Sequence, residues 1–228
     1  MRRLTAIAAT LLIGLTGCIS VGPKLKPVQM YRFGYDPSTL GKDTLAAPPV
    51  TGQAPAGVVL GTVTFPQDSS GDRITTLEGN EVSYVAQSRW TAPAQELFNE
   101  AIGQGFARSA QSVRLEQRGP SAANYRLDIT VRQFESVYSH GHPAVTVAFD
   151  ARIIRLDDKA IIGQHFINEN LNVGHNDMSI MADAYSKATT QAVAELIGFT
   201  QDTLATDAAA PTPSPVTPPG AKQKVEGL

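Results

Sequence analysis

Cysteine is almost missing from this chain: there is one in 228 residues, Cys18. A single cysteine forms no internal disulfide and builds no thiolate zinc site. Charge is sparse as well. Charged residues make up 18%, against about 25% in a typical soluble domain. The net charge of -2 lacks the basic excess that marks a nucleic-acid binder. Enzyme motifs are missing too. No Gly-x-x-x-x-Gly-Lys-[Ser/Thr] loop occurs, so the chain is not itself a P-loop ATPase. There is no Gly-x-Ser-x-Gly elbow and no His-Glu-x-x-His helix. Gly103-Gln104-Gly105 lacks a third glycine and falls inside a helical pattern, which argues against a dinucleotide site. No catalytic residue, metal or cofactor is therefore expected.

Proline is scarce in the middle. Residues 58–204 hold 4 of the 15 prolines but 12 of the 15 aromatic residues. The other prolines cluster at 23–55 and at 211–219. This pattern predicts one globular body with a flexible segment at each end.

The first residues read as an export signal. Arg2 and Arg3 form a short positive region, and Leu4 to Leu15 is uncharged and mostly apolar. Twelve residues are too few to span a bilayer, which needs about 20. They suit the apolar region of a signal peptide over 1–17. Leu15-Thr16-Gly17-Cys18 then resembles the bacterial lipobox. Small residues at 16 and 17 admit a peptidase, and the Cys18 thiol is the nucleophile that takes the diacylglycerol. Acyl chains contribute about 0.8 kcal/mol per buried CH₂, so two or three chains anchor stably where one does not. The mature chain would have 211 residues and a net charge of -4. In enteric-type sorting, Asp directly after the cysteine retains a lipoprotein at the inner membrane. Ile19 therefore points to the outer membrane, on its periplasmic face.

Residues 18–57 read as the lipidated N-terminus and tether, slightly basic, with Tyr31-Arg32-Phe33 forming a short edge strand. The body, 58–204, carries a net charge of -6. Val58 to Phe65 reads as a buried strand stopped by Pro66. Arg73–Leu77 and Glu81–Ala86 flank a Glu78-Gly79-Asn80 hairpin turn. Thr91 or Ala92 caps a helix with Pro93 in its first turn. Phe98, Ile102, Gly105 and Phe106 form its apolar face, with Gly103 and Gly105 permitting close packing on a sheet. Val113–Glu116 is a short strand. Leu127, Ile129 and Val131 alternate until the phase slips at Gln133-Phe134, a bulge signal. Val145 to Ile153 alternates, Asp157-Asp158-Lys159 turns, and Ile161–Leu171 returns. A final helix starts at Asn176 or Asp177 and ends near Gly198 to Thr203. Residues 205–228, with five prolines and no aromatic, read as a disordered Pro/Ala-rich tail. The order predicts α+β: a mainly antiparallel sheet with two helices packed on one face.

Chemistry-bearing clusters are few. His140-Gly141-His142 lies between two strands. It reads as a polar turn, or as two metal ligands awaiting a third from His165, His175 or a carboxylate. Adjacent Asp157 and Asp158 point apart into solvent in a turn. Arg126 and Arg132 read as a solvated strand face or as partner contacts.

The run Val82-Ser83-Tyr84-Val85-Ala86-Gln87-Ser88-Arg89-Trp90-Thr91-Ala92-Pro93, with Glu96-Leu97-Phe98 beyond it, resembles the ABC-type transport auxiliary lipoproteins. These are the PqiC-like lipoproteins of MCE transport systems. Tyr125-Arg126-Leu127, Phe134-Glu135 and the Ala-rich stretch Asp177 to Leu196 fit the same order, as does the lipobox. Pro93-Ala94 replaces a frequent Pro-Pro, and the proline-rich tail is extra. The resemblance covers roughly 58–200. Trp90, Tyr84 and Phe98 carry it, and they read as seam packing between strand and helix. It implies a non-enzymatic accessory lipoprotein that works with ABC transporter subunits and an MCE-domain protein. The system would move lipids or other hydrophobic molecules across the envelope, and the subunit would act as a homo-oligomer. The alternative is a periplasmic scaffold or regulator of envelope and cell-wall assembly.

Overall fold

The computed structural model describes residues 27–40, 55–116 and 123–210. Eight strands form one sheet: β1 (Gln29–Tyr31), β2 (Ala56–Thr64), β3 (Arg73–Glu78), β4 (Glu81–Trp90), β5 (Val113–Glu116), β6 (Tyr125–Ser139), β7 (His142–Arg155) and β8 (Ile161–Asn172). Two long helices accompany it, α1 (Ala94–Ser109) and α2 (Met178–Ala209), and Pro37–Thr39 adds a 3-10 turn.

The meander β6–β7–β8 is the backbone of the sheet, antiparallel throughout. The other side of β6 is shared. Its first half pairs with β2 and its second half with β3, both parallel. β5 extends the sheet beyond β2, while β4 and then β1 extend it beyond β3. The sheet is thus mixed, and its long ladders are the antiparallel ones, as the α+β reading requires. The expected phase slip is real: the β6–β7 register shifts between Val131 and Gln133.

One face of the sheet is apolar and carries the helices. Leu127, Ile129, Phe134, Val145, Val147, Phe149 and Ile153 are buried on it. This is period-two patterning turned into a core. Phe98 of α1 meets Phe149 with ring centroids 5.5 Å apart. Tyr185 of α2 packs against Phe134 with ring centroids 5.1 Å apart. The Tyr185 hydroxyl accepts a 3.2 Å hydrogen bond from Ser136 Oγ, and burial pushes its phenol pKa up.

Three sequence expectations change. First, α1 does not start from a Thr91 or Ala92 cap. Pro93 is the N-cap and offers no side-chain bond. The first amides bond instead to a neighbouring loop, Ala94 N to Gly71 O at 2.9 Å and Gln95 N to Ser70 O at 3.2 Å. The orphan donors of the helix terminus are thereby satisfied by tertiary structure. α2, by contrast, starts where expected. The Asp177 carboxylate accepts from Ser179 N at 2.8 Å and from Ile180 N at 3.3 Å.

Second, α2 does not stop at Gly198 to Thr203. It runs to Ala209 and buries Leu204. Residues 205–209, read as the start of the tail, are helical. Third, part of the segment read as tether belongs to the body. Phe33 is 2% exposed and lies 5.0 Å from Trp90 and 4.9 Å from Phe134 between ring centroids. Tyr35 is also buried, and its hydroxyl lies 2.5 Å from Ser109 Oγ. The edge strand is β1, two residues earlier than expected, and its Tyr31 carbonyl accepts from Thr91 N at 2.8 Å.

Candidate functional site

The expected lipidation site, Cys18, lies outside the described residues, as do 211–228 of the tail. The family-motif aromatics divide. Trp90 and Phe98 are core residues, Trp90 standing edge-on to Tyr185 at 5.0 Å. Tyr84 is half-buried and carries the Arg73 guanidinium 3.7 Å above its ring.

His140 and Gly141 form the two-residue β6–β7 turn with φ of 51° and 78°, the geometry of a type I′ hairpin. His140 and His142 are exposed there. No third ligand reaches them: among the described residues no three His, Cys, Asp or Glu side chains are grouped to hold a metal. His165 instead lies 2.7 Å from Glu195 through Nε2 and stacks on Phe199 at 5.2 Å. Asp158 is structural. It accepts from Ala160 N at 3.0 Å and from Arg155 Nη1 at 2.7 Å. The Ala160 amide, and then Arg155, hold its carboxyl below the usual range.

Arg126 and Arg132 lie on the face of the meander opposite the helices. Each is paired, Arg126 with Asp128 at 3.1 Å and Arg132 with Asp150 at 2.6 Å. Beside Arg132 a shallow cleft of about 460 Å³ is lined by Asp128, Arg132, Asp150, Arg152 and Phe166, among others. Phe166 is 53% exposed. A large exposed aromatic beside guanidinium groups has the composition of a protein-contact patch.

Sequence reasoning missed the cluster that locks the end of α2. Asp207 accepts from Tyr125 Oη at 3.0 Å and from Arg155 Nε at 3.1 Å, with a second, short bond from Arg155 Nη2. The Arg155 bonds hold the Asp207 carboxyl below its usual range, while burial, and then Asp207, push the Tyr125 phenol up. The available signal was Leu196 and Leu204 with Thr200 between them, a stripe continuing at four-residue spacing past Gly198 and buried throughout.

Among the described residues, no helix is long and apolar enough to cross a membrane. The described body is thus an α+β domain with most of its large aromatic side chains in its core. That architecture recurs in solved structures. Protein XCC0632 from Xanthomonas campestris superposes with a TM-score of 0.67 at 20% identity, covering 80% of this chain and 100% of its own. An uncharacterized protein superposes with a TM-score of 0.59 at 10% identity, covering 75% of this chain and 97% of its own. These likenesses show the fold. The chain has no match among curated proteins. Its family is defined by sequence: residues 39–197 match the ABC-type transport auxiliary lipoprotein component, and the chain belongs to that family.

Proposed function

We propose that this protein is an outer-membrane lipoprotein, facing the periplasm, that serves an ABC transport system as an accessory subunit. Acyl chains on Cys18 hold it to the membrane. The residues after Cys18 lead to a body that begins with β1 and ends with α2. The body binds an MCE-domain protein, acts as a homo-oligomer, and helps pass lipids or other hydrophobic molecules across the envelope. Its role is docking rather than catalysis.

The observation that carries this reading is the family match over 39–197, joined to Leu15-Thr16-Gly17-Cys18 in register with an export signal. The net charge of -6 over 58–204 is in keeping with it, since a nucleic-acid partner calls for a basic excess. Crosslinking in intact cells tests it, with a photoreactive residue at Phe166 and another at Ile180, both exposed. Adducts with an MCE protein or a permease subunit are expected. Adducts with a cell-wall enzyme instead would favour the scaffold reading.

A further inference from the structure

β8 forms one border of the sheet. Among the described residues it pairs, along its twelve residues, only with β7. Among the described residues its outer row of amides and carbonyls has no strand partner. Such edges are normally guarded by lysine, proline or short length. The opposite borders follow that rule, since β1 has three residues and β5 four. β8 does not. Ile161–Asn172 contains no lysine, arginine or proline, and its only ionisable side chains are His165 and Glu169.

Different chemistry flanks this edge on its two faces. On the helix side a cavity of about 510 Å³ lies between β8 and α2. Glu169, Glu195 and Asp202 line it together with Leu40 and Phe199, and among the described residues no lysine or arginine does; Glu195 also lies 2.7 Å from His165 Nε2. Burial, and then the charge of Glu195, raise the Glu169 carboxyl above its usual range. On the other face stands Phe166, 53% exposed, beside Arg152, which makes no ion pair among the described residues. Successive residues of a strand point to opposite faces. A strand laid along β8 would therefore send alternate side chains toward the carboxylates and the rest toward Phe166. Arg152 disfavours further cations in that second row.

We infer that the outer edge of β8 receives an extended segment of a partner protein as an added strand, one whose side chains alternate between basic and apolar. Main-chain bonds to β8 would supply affinity, and the two flanking surfaces would supply selectivity. The inference stands on the edge and its surroundings and does not depend on which transport system the protein serves.

The test uses the full chain in a non-ionic detergent and two capped seven-residue peptides, one alternating Lys and Val, the other Glu and Val. The Lys–Val peptide should slow amide hydrogen exchange across 161–172 and bind at least about tenfold more tightly than the Glu–Val peptide. Glu195→Gln, at an exposed position that leaves the core intact, should weaken Lys–Val binding about threefold or more, and Phe166→Ala should do likewise. Three results would overturn the inference: no added protection in β8 at about millimolar Lys–Val peptide, equal protection by both peptides, or protection of the peptide-free edge that dilution relieves. The last would mean that a second copy of this chain occupies the edge.

Discussion

Gly105 of α1 approaches Val193 of α2 so closely that a methyl group at position 105 would stand 2.3 Å from Val193 Cγ1. The same methyl would lie 3.4 Å from the Tyr35 ring. The glycine thus permits a close helix–helix crossing, where sequence reasoning had assigned it to helix–sheet contact.

Gly105→Ala should therefore destabilise the fold. Helix propensity favours Ala by about 1 kcal/mol, but overpacking a close-packed contact costs about 1–3 kcal/mol. The net loss should be up to about 2 kcal/mol, read as a lower urea midpoint. Gly198→Ala is the counterpart. A methyl there meets nothing within 4 Å, so the same substitution inside α2 should stabilise by up to about 1 kcal/mol.

Asp207 ties the last turns of α2 to β6 and β7, and its side chain is 12% exposed. Asp207→Asn should lower Tm by roughly 2–6 °C at pH 7. Its folded carboxyl pKa is depressed, so the ionised form contributes stability that is present above the unfolded value, about 3.9. That contribution is lost as pH falls through the folded value. The difference in Tm between the two proteins should therefore shrink below about pH 4 and close at lower pH. A constant difference across pH would refute the ionic origin.

Glu135 carries the opposite sign. Burial raises its carboxyl above the usual range, only partly offset by the Gln133 amide. In the window between the unfolded and folded values the folded chain binds more protons, so stability falls as pH rises. Glu135→Gln should stabilise by about 0.5–1 kcal/mol at pH 7–8. The gain should vanish below about pH 4, where both states are protonated. Denaturant midpoints across this range provide the measurement.

Cys18→Ser removes the acyl chains that anchor the proposed lipoprotein. Fractionation should move the protein from the membrane pellet to the soluble fraction, with loss of transport function at the same time. A Cys18→Ser variant that stays quantitatively in the pellet after a carbonate wash would contradict the anchor.

The meander was legible because apolar residues recur at every second position along much of β6 and β7, and the bulge at Val131 left a phase slip in the pattern. The N-terminus of α2 was legible because Asp177 caps it with its own side chain. What escaped depended on distant partners. The start of α1 is fixed by Gly71 and Ser70 carbonyls, and its capping residues carry no sign of them. The end of α2 is fixed by Tyr125 and Arg155. Gly198 and the following prolines, local stop signals, pointed to an earlier end. Phe33 and Tyr35 sit among prolines, so composition placed them in a tether, although their aromatic rings fill the core. The His140–His142 pair shows the converse. Its spacing fits ligation, and the structure places it in a type I′ turn.

The central claim, that this family member docks an ABC transport system through an MCE-domain partner, is tested most directly by affinity isolation of the tagged full chain from membranes in mild detergent, with the bound proteins identified by mass spectrometry. An MCE protein and permease subunits should copurify in amounts comparable to the bait. Repeated isolation of the lipoprotein alone, under conditions that keep other envelope complexes intact, would contradict the claim.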